Sequence, residues 1–264
     1  MPERNGHVQA APIMLRVRKR HAYAFFGIVL AAVGVVLAWG TGVLGGSRVA
    51  PDPIQVNVIG HNWWWEFHYP GLGIKTANEL HVPVDTEIVL RLSTVDVTHT
   101  LSIPELGFAA DALPGRTNTV ALRVEEPGDL GGECSEVCGL AHGMMRVRVV
   151  AQTQADFDLW AVNQQAPAAA PQTERQTAGY EFVTTACATC HSLNPAEPRT
   201  DLKGPNLAHL MSRSVFAGAS FTLNETNLRR WIRDTQAMKA GNDMIVNLPR
   251  DDYEAVVEYL LMLK

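Results

Sequence analysis

The chain has 264 residues, 47% of them hydrophobic, and a formal net charge of −5. That length accommodates one or two small domains with connecting segments, and the mild negative balance argues against a nucleic-acid surface while leaving room for a cationic redox partner. The four cysteines form two close pairs far apart in sequence, Cys134 with Cys138 and Cys187 with Cys190, a spacing that suggests metal or cofactor sites before a disulfide framework.

Residues 1–21 form a polar, basic tail. From Ala22 to Ser47 the chain carries no charge. A spanning helix needs roughly 20 apolar residues, so residues 22–47 are expected to be a single transmembrane helix. Arg16, Arg18, Lys19 and Arg20 precede it, which places the N-terminus in the cytoplasm and everything after Ser47 outside. A cleaved signal peptide would have a shorter apolar core, of about 7–15 residues.

Residues 52–152 read as one all-β domain. Ile54 to Ile59 alternates as IQVNVI, and strand-like runs follow at Glu87–Leu92, Thr119–Val124 and Met145–Val150. Pro70-Gly71, Pro114-Gly115 and Pro127-Gly128 punctuate them, the pattern of a β-sandwich or barrel. Trp63, Trp64 and Trp65 are adjacent. On a strand they cannot all face one side, so at least one is expected to point outward. Residues 163–177, rich in Ala, Pro and Gln, read as a linker, and residues 178–264 as a small, mostly helical domain. Its last helix opens at Pro249 and Asp251, with Glu254 spaced like a capping box. Tyr253, Val256, Val257, Leu260 and Leu261 have the spacing of one buried helical face.

The segment Cys134–Met145 holds two thiols, an imidazole (His142) and thioethers within a few residues, and His99 lies upstream in a strand-like stretch. Soft sulfur ligands with imidazole suit copper or zinc. Two thiolates can bridge two coppers, so that one electron is shared across both ions. A Cys134–Cys138 disulfide or a structural zinc site from two cysteines and two histidines remains open on spacing alone, although zinc motifs rarely add the methionine.

Together with His61-Asn62-Trp63-Trp64-Trp65-Glu66-Phe67, Asp96-Val97-Thr98-His99 and Asp111-Ala112-Leu113-Pro114-Gly115-Arg116, this loop resembles the copper domain of cytochrome c oxidase subunit II, over roughly residues 55–150. The resemblance implies a cupredoxin-like Greek-key sandwich with a dinuclear CuA centre. Its ligands would be His99, Cys134, Cys138, His142, Met145 and the Glu136 backbone carbonyl. The Glu136 carboxylate would face a Mg²⁺ at the contact with subunit I. Trp63 would be the surface aromatic at which electrons enter. The chain departs from the family in having one membrane helix rather than two, and Leu101, Ser102, Ala109 and Ala110 at positions where aromatic or basic residues are usual.

Cys187-Ala188-Thr189-Cys190-His191 is the C-x-x-C-H signature of covalent c-type haem, with His191 as proximal ligand. A thioredoxin-like pair is the rival for C-x-x-C but gives no reason for the histidine. Methionine is a common sixth ligand, and Met211, Met238, Met244 and Met262 are candidates. Residues 178–264 resemble class I cytochromes c through Gly204-Pro205-Asn206-Leu207 and Lys239-Ala240-Gly241-Asn242-Asp243-Met244, which favours Met244 with Met238 in reserve.

The whole resembles subunit II of the caa-type oxidases, in which that subunit carries its own cytochrome c. The implied role is to pass electrons from a soluble donor, such as a cytochrome c, through haem c and CuA to an oxygen-reducing subunit I. This chain itself would carry electrons only, at a bacterial plasma membrane and with both domains outside the cytoplasm. The rivals are the CuA-bearing small subunit of a nitric oxide reductase and a free-standing, membrane-tethered electron shuttle.

Overall fold

The computed structural model describes residues 19–40 and 52–264. Helix α1, Lys19–Gly40, covers most of the uncharged run. Residues 41–47 of the expected membrane segment and most of the basic tail lie outside the described residues. Among the described residues no helix is long and apolar enough to cross a membrane.

The β domain is a sandwich of ten strands in chain order: β1 Ile54–His61, β2 Trp64–Tyr69, β3 Ile74–Ala77, β4 Glu79–Pro83, β5 Ile88–Thr94, β6 His99–Ile103, β7 Phe108–Ala112, β8 Asn118–Leu122, β9 Gly128–Cys134 and β10 Arg146–Gln152. One five-stranded sheet has the order β3-β2-β1-β5-β8 and the other β4-β10-β9-β6-β7. Alternating positions build the core between them. Val56 and Val58 of β1, Leu90 and Leu92 of β5, Leu101 and Ile103 of β6 and Val147 and Val149 of β10 are all buried in one cluster. Each contributes about 1.5–3 kcal/mol of burial. The four strand-like runs read from sequence become β1, β5, β8 and β10. Strand β9, GDLGGEC, carries too many glycines to announce itself, and forms through pairing with β10 and β6.

A helix follows the sandwich where sequence suggested the connection to begin. In α2, Gln154–Gln165, the Thr153 side chain accepts a hydrogen bond from the Asp156 N–H, an N-cap that starts the helix. Phe157 and Ala161, one turn apart, join the sandwich core, and Trp160 stacks on His81 at 4.3 Å. The expected linker 163–177 is therefore shortened at both ends. Its first residues end α2, and its last ones lie in α3, Glu174–Thr185, whose Thr173 and Gln176 form a capping box.

The C-terminal domain continues with a short hairpin, β11 Val215–Phe216 and β12 Phe221–Thr222, then α4 Glu225–Arg233, α5 Thr235–Met238 and α6 Arg250–Leu260. The hairpin's two-residue strands are the one departure from helix and turn in a domain expected to be mostly helical. Helices α3 and α6 cross so closely that a Cβ on Gly179 would run into the Ala255 backbone. Tyr253, Val256, Val257 and Leu260 are buried and Leu261 partly so, as the helical spacing predicted. The expected Asp251–Glu254 capping box is absent. The helix starts before Asp251, and its N-cap is Pro249, whose side chain has no acceptor; Glu254 accepts from Arg229 Nη1 of α4 at 2.9 Å.

Two candidate cofactor sites and the seam between them

At one end of the sandwich, β6 supplies His99, the end of β9 supplies Cys134, and the turn into β10 carries Glu136, Cys138, His142 and Met145. Cys134 Sγ lies 3.8 Å from Cys138 Sγ, 3.8 Å from His99 Nδ1 and 3.2 Å from the Glu136 carbonyl oxygen. Cys138 Sγ lies 3.5 Å from His142 Nδ1 and 3.9 Å from Met145 Sδ. The structure thus brings all six sequence-predicted donors into one cluster. His99, Cys134 and Cys138 form a buried group able to hold a metal ion, and both thiols are free rather than bridged. The donor chemistry fits copper: two thiols at the centre, flanked by two imidazole nitrogens, a thioether and a carbonyl.

Asp96, which sequence reasoning treated only as part of a motif, organises the cluster. Its Oδ1 sits 2.7 Å from His99 Nε2 and turns Nδ1 toward the sulfurs. The backbone N–H groups of Asn62 and Val97 both donate to the Asp96 carboxylate at 2.7 Å. Burial pushes His99 down, but Asp96 and Cys134 outweigh it and raise it to about 9. Burial pushes both thiols up. At Cys134 the hydrogen bond to His99 reverses that and favours the thiolate, while at Cys138 the neighbouring Cys134 adds to it.

Trp63 departs from expectation. It is only 9% exposed, and Trp64 and Trp65 are buried too, so no tryptophan of the run faces solvent. Trp64 stacks on His61 at 4.1 Å. Trp63 Nε1–H donates to the Cys138 carbonyl at 2.9 Å. The C-terminal domain lies over its ring: a Cβ on Gly241 would meet Trp63 Cη2 at 3.4 Å and Leu140 Cδ2 at 2.7 Å. The exposed side of the copper loop is instead formed by Val137, Leu140 and the Glu136 side chain.

The attachment cysteines lie at the end of α3. Cys187 opens a 3₁₀ turn, Cys190 closes it, and both are partly buried. His191 Nδ1 is 2.8 Å from the Pro205 carbonyl. That bond makes Nδ1 the protonated nitrogen and leaves Nε2 free as a ligand. Gly204 is packed flat against the imidazole, where a Cβ would meet Nδ1 at 2.7 Å. A small cleft beside His191 is lined by both apolar and polar residues, Val183, Leu193 and Leu207 with Thr184, Ser192 and Arg199. Paired thiols and an oriented imidazole have the donor chemistry of a covalent haem site.

The Met244 loop is tied down from within. Asn242 Oδ1 accepts from the Met244 N–H at 2.9 Å, and Thr235 Oγ1 donates to the Met244 carbonyl. Met244, Met211 and Met262 pack against the same core, in which Met238 is buried.

The seam between the domains holds two charged groups: Glu79, which no motif singled out, and Lys239, which sequence reading treated only as part of the Met244 loop. Glu79 is 2% exposed. Its Oε1 accepts from the Ser214 N–H at 2.7 Å, the Ser214 hydroxyl at 2.6 Å, the Val215 N–H at 3.1 Å and Arg148 Nη1 at 3.3 Å. Burial pushes its carboxyl up, but His81 and Ser214 outweigh it and hold it at about 2. Lys239, 3% exposed, is pushed down to about 7 by burial against the opposing pull of Cys138. Nothing in the local sequence distinguishes Glu79 from an ordinary surface charge, and nothing near Lys239 announces that it is buried.

Residues 72–152 match the family model for the periplasmic domain of cytochrome c oxidase subunit II, and residues 176–264 the cytochrome c model. Relatives named cytochrome c oxidase subunit 2 include that of Alkalihalophilus pseudofirmus, 31% identical over 82% of this chain and 63% of its own length. That of Bacillus subtilis is 32% identical over 83% and 64% respectively. The chain therefore spans a little under two thirds of the length of these relatives. The solved periplasmic domain of subunit II of cytochrome oxidase from Bradyrhizobium japonicum is similar at 27% identity and a TM-score of 0.41, covering 43% of this chain and 95% of that one.

Proposed function

Given a chain that joins a subunit II periplasmic domain to a cytochrome c domain, we propose that it is the electron-accepting subunit of a haem-copper cytochrome c oxidase. The carrying observation is the convergence of five soft or borderline donors and one carbonyl oxygen at one end of the sandwich, with the domain that bears the C-x-x-C-H turn seated beside them. When bound, a copper pair and a haem c would each supply a one-electron carrier.

The chain's own residues do the rest. His99, Cys134, Cys138, His142, Met145 and the Glu136 carbonyl would hold the copper pair, and Asp96 orients His99 for it. His99 and Cys134 sit at strand ends paired into the sheet, and the turn between Cys134 and Arg146 carries the other four donors. Cys187 and Cys190 would bond the haem, His191 Nε2 would be its proximal ligand and Met244 its distal one. The Glu136 side chain is exposed while its carbonyl faces the thiols, which leaves the carboxylate available to a Mg²⁺ shared with subunit I. The 22–47 run would anchor the chain in a bacterial plasma membrane with both domains outside, since its uncharged length matches a bilayer crossing.

The test is to purify the chain with its membrane partners and supply a reduced soluble donor. Oxygen uptake alongside a multi-span partner is expected. Nitric oxide reduction without oxygen uptake would assign the chain to a nitric oxide reductase, and isolation without any partner would make it a free shuttle.

A further inference from the structure

The Lys239 ammonium leaves its own domain. Its Nζ donates to the carbonyl of Trp63, at 2.5 Å, and to that of Met144, at 2.8 Å, both in the copper domain, and to Ala217 of its own hairpin at 2.9 Å. Three carbonyls thus take the three ammonium protons, and a buried cation is satisfied without a carboxylate. Around it the hairpin between β11 and β12 closes on the copper loop. The Arg146 N–H donates to the Gly218 carbonyl at 2.8 Å, and Ser220 Oγ to the Met144 carbonyl at 2.8 Å. Gly218 holds a left-handed φ of +76° and lies so close that a Cβ would strike Lys239 Nζ, the Met144 carbonyl and the Trp63 carbonyl. Two residues beyond Lys239, Gly241 rests on the Trp63 ring. Three beyond that is Met244.

From this we propose that Lys239 is a positioning residue, a latch that fastens the haem-domain loop 238–244 onto the copper loop and makes Trp63 an internal junction between the two domains rather than a port open to a soluble donor. The inference rests on the electron-carrying role proposed above. In that role haem and copper would each supply a one-electron carrier, with no bond made or broken, and the 238–244 loop, the Trp63 ring and the Cys138 carbonyl, to which Trp63 Nε1–H donates, would form the contact between the two domains. A soluble donor would then meet the haem domain, not Trp63.

The experiment uses the full chain, with Lys239→Met and Gly218→Ala as variants. The first removes the latch, and the second wedges the same seam while keeping the lysine. Amide hydrogen exchange is followed first, because it reads docking whether or not copper and haem are loaded. Exchange in segments 139–146 and 217–220 is expected to rise by about tenfold or more, the size of losing a charge-assisted hydrogen bond. Strands β1 and β5 and helices α3 and α6 should keep their protection. In loaded protein, haem-to-copper transfer after rapid reduction of the haem is expected to slow by a similar factor, with the haem and copper spectra unchanged. Unaltered exchange at the seam in both variants, or unaltered transfer once the seam has opened, would overturn the proposal. A chain that takes up neither copper nor haem would instead overturn the function proposed above, and the exchange measurement would still decide the latch.

Discussion

The copper loop and the haem-attachment turn hold their ligands by different means. In the copper loop six donors come from two strands and a turn, and each lies within 3.9 Å of a thiol. In the haem domain the cysteines sit partly exposed on a 3₁₀ turn, and only His191 is held in a set orientation, by Pro205. A metal site draws its donors from segments the fold must bring together, here β6, β9 and the turn into β10, whereas a haem joined by two covalent bonds is located by its attachment sequence.

The sharpest break in that contrast is Cys134→Ser. Without a second bridging thiolate the copper pair should not form, so both the near-infrared band and the mixed-valence paramagnetic signal vanish while the haem spectrum stays. A variant that still binds two coppers would show that the loop is not the site.

Glu79 tests how far the seam depends on burial. Glu79→Ala leaves Ser214 and Val215 N–H and Arg148 without their acceptor and should cost about 2–4 kcal/mol, read as a lowered thermal midpoint. The same carboxylate predicts a pH dependence. Its folded value, about 2, lies below the ordinary 4.5. Its stabilisation is therefore fully present above about pH 4.5 and is lost as pH falls toward 2. Glu79→Gln should flatten that limb of the stability curve, and an unchanged limb would place the acid sensitivity elsewhere.

Asp96→Asn sharpens the account of the preformed site. The ring of His99 loses its charged partner, and copper affinity should fall by about 10–100-fold, the usual cost of losing such a supporting contact, as measured by competition with a chelator. Unchanged affinity would mean that sheet packing alone orients His99.

The smallest effect is expected at Met244. Met244→Ala should remove the weak red absorbance band of an oxidised thioether-ligated haem and lower its potential, with covalent attachment intact. Loss of the band in Met238→Ala instead would move the ligand by one methionine.

Local pattern carried much of this protein into view. The C-x-x-C-H turn, the Cys134–Met145 segment, the alternation of β1 and β5 and the apolar stripe of α6 depend on residues close in sequence, where spacing alone sets geometry. Helix α2 escaped notice because its buried stripe is short, only Phe157, Ala161 and Gln164, and its partner surface is the sandwich. Trp63 was legible as an aromatic beside the copper loop but not as a buried one. Its exposure depends on Gly241, far along the chain, and on where the second domain lies. Lys239 and Glu79 belong to the same class. A charge is driven to a buried place only when distant backbone groups converge to satisfy it, and no residue near either one in sequence announces those partners. The sequence by itself determined which donors would stand close together, in the Cys134–Met145 loop and the C-x-x-C-H turn. Only the tertiary structure decided that the two domains meet at Trp63, because Lys239 and Ser220 donate there to backbone carbonyls, acceptors that every residue possesses and only folding brings into reach.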